Sequence, residues 1–235
     1  MELKESLINT SKLTNFKYYI MTKPKIYIPT FDTEYYNGRK GLPINLDIGS
    51  RCPLQCAGCH RQSEWYDRHR HLFNDMSVKD LQKFVDSKFT FIEFSGQQSD
   101  PMAHPNILDF ISICHNIRLV IHTAASHKKK DFYEEAFHRC GMRTSWIFGL
   151  DGLPEESHKY RINQNGIHLY EMMKLGVSMG VDIKWQYIVL KYNQDHIEQA
   201  QKMAEDEGIE FMLAFSDRWN NDEMIQFKPR EEYCA

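Results

Sequence analysis

From residue 44 onward, apolar and polar positions fall into two periods that take turns along the chain. Ile44, Leu46 and Ile48 alternate with Asn45, Asp47 and Gly49, the period-two pattern of a strand with one buried face. Further on, Ser77 stands ahead of Asp80, Leu81, Phe84 and Val85, a helix cap followed by one helical face. The alternation then continues with strands over 89–94, 118–123, 143–150, 182–190 and 209–215. Between them, helices run over 106–115, 130–138, 166–179 and 194–207, the last closed by Gly208. Strand followed by helix, repeated with short links, predicts parallel βαβ units with right-handed crossovers. Six such units make about three quarters of an eight-unit barrel, or else an open doubly wound sheet.

The ends lack this rhythm. Residues 1–43 carry no sustained apolar period and are punctuated at Lys23-Pro24, Ile28-Pro29, Asn37-Gly38 and Leu42-Pro43. They read as an N-terminal extension with a short helix near Lys4 to Leu13 and an edge strand near Lys25 to Ile28. Residues 216–235 are polar with scattered aromatics and read as a C-terminal tail crossing the end of the sheet. The expected organisation is an extension over 1–43, a barrel over 44–215 and a tail over 216–235. No repeat and no low-complexity segment interrupts it.

Composition narrows the setting. Of 235 residues, 42% are hydrophobic and 26% charged, ordinary for a soluble globular protein. The net charge of -3 favours neither nucleic acid nor an anionic membrane surface. No apolar run approaches the roughly 18 residues of a membrane span, and the opening Met1-Glu2-Leu3-Lys4 is too polar for a signal peptide. A cytoplasmic location follows as the expectation. In a reducing compartment the six cysteines are ligands or free thiols.

Three of those cysteines crowd into Cys52-Pro53-Leu54-Gln55-Cys56-Ala57-Gly58-Cys59, directly after the first core strand. Thiolates this close along one loop suit a single metal centre. A structural zinc site usually completes four ligands with a second pair elsewhere, so an iron-sulfur cluster with one open iron and a zinc knuckle completed by His60 or a distant cysteine both stand. Parallel α/β folds place their sites at the carboxyl ends of the strands. The later strands lead into Ser95-Gly96-Gln97-Gln98-Ser99-Asp100-Pro101, Thr123-Ala124-Ala125-Ser126 and Asp151-Gly152-Leu153-Pro154.

Together these loops resemble the radical S-adenosylmethionine (radical SAM) enzymes. The resemblance spans about Ile44 to Phe215 and implies a partial (β/α)6 TIM-like barrel, an α/β fold. It implies that Cys52, Cys56 and Cys59 bind three irons of a [4Fe-4S] cluster, with S-adenosyl-L-methionine (SAM) chelating the fourth. Gln98-Ser99-Asp100-Pro101 resembles the Gly-Gly-Glu-Pro turn that meets the SAM amino group, with Asp for Glu and no glycine pair. Asp151-Gly152 with Arg161 resembles a segment of the peptide-modifying and molybdenum-cofactor-precursor subgroup, and Thr123, Ser126 and Arg161 are the candidates for the SAM ribose and carboxylate. Where many relatives carry an aromatic residue before the third cysteine, this chain has Gly58, leaving His60 or Trp65 to fill the space. Only Cys234 lies near the end, too little for a full auxiliary cluster.

The activity so implied is reductive cleavage of SAM to a 5′-deoxyadenosyl radical, followed by hydrogen abstraction from a substrate. A peptide or protein side chain ranks first and a nucleoside or other small metabolite second, with a reductant such as flavodoxin or ferredoxin. Substrate would enter near Gln186, Lys191, Tyr192 and the tail. No residue is singled out as catalytic.

Blander readings compete at each position. Cys114 and Cys140 read as small buried hydrophobes and Cys234 as an exposed thiol. The His- and Arg-rich run from His60 to His71 is either an anion site or a solvated loop, and Lys128-Lys129-Lys130 reads as a solvated face. Asp100 and Asp151 also suit turn carboxylates, Arg161 a surface ion pair, and Thr123 and Ser126 caps of the next helix.

Overall fold

The computed structural model describes residues 17–19, 35–36, 39–40, 42–87, 89–220 and 222–234. The helix expected near Lys4 to Leu13 and the strand near Lys25 to Ile28 lie outside them.

Short strands come first: β1 (Lys17–Tyr19), β2 (Tyr35–Tyr36) and β3 (Arg39–Lys40), the last two paired as a small antiparallel ribbon. The repeating part follows as β4 (Leu42–Leu46), α1 (Glu64–His69), α2 (Val78–Val85), β5 (Phe89–Phe94), α3 (Ile107–Ile113), β6 (Arg118–Thr123) and α4 (Lys130–Arg139). It continues through β7 (Thr144–Gly149), α5 (Gly166–Ser178), β8 (Asp182–Ile188), α6 (Ile197–Asp206) and β9 (Glu210–Phe215), with α7 (Asp222–Ile225) in the tail. Local chemistry sets the starts. Ser77 Oγ accepts from Asp80 N at 3.1 Å ahead of α2, and Asn165 Oδ1 accepts from His168 N at 3.0 Å ahead of α5.

The sheet order is β1-β9-β8-β7-β6-β5-β4, with β4 to β9 all parallel and β1 antiparallel to β9. This settles the choice between barrel and doubly wound sheet. Right-handed crossovers that always step in one direction put every helix on one face, whereas a doubly wound sheet reverses its order partway. Here the order never reverses, so the sheet curls around its bare face into an open barrel. Two details differ from the sequence reading. The first core strand begins at Leu42 and ends at Leu46, and residues of the N-terminal extension supply a seventh strand at the far edge.

Alternation along each strand divides the core. Trp146 and Phe148 of β7, Leu119 and Ile121 of β6, and Phe211 and Leu213 of β9 join the main cluster beneath the helices. The intervening Val120, Ile147 and Met212 pack with Phe91 inside the barrel, plugging its amino-terminal side. Each fully buried side chain of this kind contributes about 1.5–3 kcal/mol. Two residues beyond Phe91 and Val120, toward the carboxyl ends, Glu93 and His122 bring polar side chains, while the small Gly149 and Ala214 follow Ile147 and Met212. Among the described residues no helix is long and apolar enough to cross a membrane.

Candidate functional site at the carboxyl ends of the strands

The cysteine loop leaves β4 and is held by neighbours on three sides. Gln55 N donates to Ile162 O at 3.1 Å and Ala57 N to Tyr160 O at 3.4 Å, so the segment after β7 runs alongside it. Asp100 N donates to Arg51 O at 2.8 Å, tying in the loop after β5. Arg61 reinforces that tie: its Nη1 donates to Ser50 O at 2.6 Å and to Gln98 O at 2.7 Å. On the third side, Glu223 of α7 accepts from Gly58 N at 3.2 Å.

Gly58 has φ +64°, a left-handed conformation that favours glycine. A Cβ there would stand 2.3 Å from Met224 Cγ. The space beside Gly58 is therefore filled by Met224 of the tail. This corrects the expectation for His60 and Trp65, whose rings instead pack on each other with centroids 5.0 Å apart. Beside the loop lies an open recess of about 560 Å³, lined in part by Cys59, His60, Arg218 and Glu223.

Cys52, Cys56 and Cys59 are all half-buried and free of disulfides. Burial first, then the Asp100 charge, pushes the Cys52 thiol up to about 12. Cys56 is pushed up to about 11, again first by burial, with Arg161 pulling the other way and Cys59 adding to the rise. For Cys52 and Cys56, burial outweighs the nearby Arg61 and Arg161 charges. Among the described residues no three His, Cys, Asp or Glu side chains converge on one metal ion. A cubane asks something different, since each thiolate binds its own iron. Three neighbouring thiols lining one loop fit that demand.

Asp100 is buried, and protein donors occupy its carboxylate. Oδ1 accepts from Met102 N at 2.9 Å and Thr123 Oγ1 at 2.8 Å; Oδ2 accepts from Ala124 N at 2.8 Å and Ala125 N at 3.0 Å. That fills the roughly four acceptor positions of a carboxylate. Asp100 and Thr123 are thus brought together as a buried junction between the loops after β5 and β6. The adjoining Ser99 Oγ donates to Asp47 Oδ1 at 2.6 Å, and Gln98 N donates to Asp47 Oδ2. Burial raises the Asp47 pKa despite these bonds.

Asp151 is fully buried and accepts from Arg161 Nε at 2.7 Å and Ile188 N at 2.8 Å. Burial is the largest single influence on Arg161 and opposes its charge, but the Asp151 carboxylate with its hydrogen bond, together with Cys56 and Tyr160, outweighs it, so the guanidinium's pKa is raised. The guanidinium covers Gly149, where a Cβ would meet Nη2 at 2.7 Å. Ser126 lies apart from the Asp100 junction; its Oγ accepts from Asn165 N at 2.7 Å. Neither Thr123 nor Ser126 caps α4, whose N-cap is Lys129. Of the suggested entry residues, Tyr192 donates its hydroxyl to Asp151 O, Lys191 is exposed, and Gln186 lies opposite Gly149 and Met212 in the sheet.

Two buried side-chain oxygens at this mouth, Gln98 Oε1 and Gln164 Oε1, have no hydrogen-bond partner among the described residues. The Gln164 amide nitrogen spans Ala124 O at 2.7 Å and Gly149 O at 2.9 Å, which fixes the oxygen's direction. Unpaired acceptors are costly unless a ligand donates to them, and the amino and hydroxyl groups of SAM are such donors. On the inner barrel face, Glu93 Oε1 lies 2.6 Å from His122 Nε2.

Sequence reading missed Asp47, Arg61, Glu93, His122, Gln164 and Met224. Polar residues at inward positions near strand ends were the available signal for Asp47, Glu93 and His122. Cys114 is fully buried, as its helical setting suggests. Cys140 accepts from Trp146 Nε1 at 3.2 Å.

No protein-family profile and no curated protein sequence matches this chain. Solved structures do. Streptococcus suis SuiB bound to S-adenosylmethionine superposes with TM-score 0.63 at 15% identity, over 81% of this chain and 44% of SuiB. The fold is that of the radical SAM enzymes. In that fold too, anSMEcpe with bound AdoMet gives TM-score 0.57 at 13% identity over 79% of this chain and 53% of that one. Methylornithine synthase (PylB) gives 0.58 at 9% over 85% and 60%. The chain thus spans less than half the length of SuiB and little more than half that of the other two.

Proposed function

We propose that this chain is a cytoplasmic radical SAM enzyme with a [4Fe-4S] cluster on Cys52, Cys56 and Cys59 and SAM bound across the loops after β5, β6 and β7. The observation that carries the reading is the position of the three free cysteines. They follow the first of six sequential parallel strands, on a loop braced from the loops after β5 and β7. When bound, the cluster and SAM would supply an electron and the 5′-deoxyadenosyl radical that takes hydrogen from the substrate.

The chain's own residues do the positioning. Asp100 joins the loops after β5 and β6, with Thr123 at its side. Gln98 and Gln164 offer their unpaired oxygens to the donors of SAM, and Arg161, held by Asp151, lays a fixed positive charge beside Cys56. Ser126 and Ser99 hold their loops through Asn165 and Asp47. The apolar plug of Val120, Ile147 and Met212 closes the barrel from below, keeping water from a reactive intermediate.

A peptide or protein side chain is the favoured substrate, with flavodoxin or ferredoxin as reductant. SuiB has been solved with precursor peptide SuiA and anSMEcpe with the Cp18Cys peptide. A nucleoside or other small metabolite is the second reading, favoured by the likeness to methylornithine synthase.

Anaerobic reconstitution with iron and sulfide separates this reading from a zinc-binding module. Four irons and four sulfides per chain with broad visible absorption support the cluster; stoichiometric zinc with no iron uptake overturns it.

A further inference from the structure

The tail touches the cysteine loop at two kinds of contact. Met224 is buried and packs with Tyr160 and Leu190, and Cys56, Ala57, Trp219 and Phe227 join the same cluster. Its side chain occupies the space over Gly58, where no Cβ fits. Next to it Glu223 accepts from Gly58 N. Further on, Lys191 N donates to Phe227 O at 2.8 Å and Arg230 N to Gln194 Oε1 at 2.8 Å, anchoring the tail to the barrel rim just after the contact.

We propose that Met224 and Glu223 are positioning residues for the cysteine loop and tune the metal centre it holds. The inference rests on the proposed cluster and concerns what surrounds it. Met224 excludes water from the Cys56 side of the loop. An apolar shell disfavours the state with more net charge, and a thiolate-bound cluster that takes up one electron becomes more negative. Glu223 adds a negative charge at the Gly58 amide, which acts in the same direction. Both residues therefore lower the reduction potential.

The test has two arms. In the protein without metal, hydrogen exchange follows the Gly58 amide and its neighbours. Met224→Ala is expected to speed exchange there at least about tenfold, the scale of a lost core contact, while Met224→Leu keeps it near wild type and β7 amides stay protected in both. Equal exchange in wild type and Met224→Ala, or exchange as fast in Met224→Leu, overturns the positioning role.

In the reconstituted protein, an EPR-monitored potential titration compares Glu223→Gln, which keeps an acceptor and removes the charge. The reduced fraction at a fixed potential is expected to rise about threefold, the scale of a partly screened charge. An unchanged or lower potential overturns the tuning role. If wild type builds no cluster, the enzyme reading and the tuning role fail together, and the exchange arm still decides the positioning role.

Discussion

The Asp100 carboxylate accepts the Thr123 hydroxyl at 2.8 Å while also taking the Ala124 and Ala125 amides. One buried anion thereby joins the loops after two adjacent strands. Asp100→Asn places an NH2 where an acceptor stood, setting donor against donor. A buried unpaired donor costs about 1–3 kcal/mol, so chemical denaturation should register a loss of at least that size. Thr123→Val removes the bond donated to Asp100 and the longer one accepted from Ala125 N at 3.3 Å, and should cost about 1–2 kcal/mol.

Arg161 and Asp151 give a second expectation. Removing one member of a buried pair strands the other charge, at a cost of about 3–5 kcal/mol. Arg161→Met should therefore destabilise strongly in urea. The double variant Arg161→Met/Asp151→Asn should recover part of that loss, because the stranded charge is gone. A double variant as unstable as the sum of its singles would contradict the pairing.

His104 supplies a pH dependence. Its ring is buried, with Nε2 3.1 Å from Met76 O and Nδ1 accepting from Asn106 N at 3.1 Å, an arrangement that suits the neutral ring protonated on Nε2. Burial pushes its pKa below the ordinary 6.5. The stability it contributes is complete above 6.5 and is lost as pH falls through the lower folded value. Urea midpoints should drop on acidification below 6.5, and less steeply in His104→Asn. Equal slopes in the two proteins would remove His104 as the cause.

The barrel and the cysteine loop were legible in the sequence for physical reasons. Strands buried on both faces read as short apolar runs, helices buried on one face carry a 3.6-residue period, and parallel folds deliver their site residues to strand ends. The tail contact was not legible. Glu223 and Gly58 lie 165 residues apart, and nothing local to Met224 marks it as the side chain that fills the space over Gly58. β1 is three residues long, too short to show a period. Asp100 reads from sequence as a turn acid with acceptors to offer; only folding brings the Ala124 and Ala125 amides onto it. The Asp47 bond to Ser99 likewise spans 52 residues. Asp151 and Arg161 stand out in the sequence as an Asp-Gly turn and an arginine ten residues on, and their pairing emerges only when the segment after β7 folds back over Gly149.

The central claim is tested most directly by the fate of SAM. Reconstituted protein is mixed anaerobically with SAM and dithionite, and 5′-deoxyadenosine is quantified for wild type and Cys56→Ala. The account predicts 5′-deoxyadenosine and methionine in equal amounts from wild type, and none above background from Cys56→Ala. Wild type that carries a full cluster and leaves SAM intact, or Cys56→Ala that cleaves it equally well, would contradict the account.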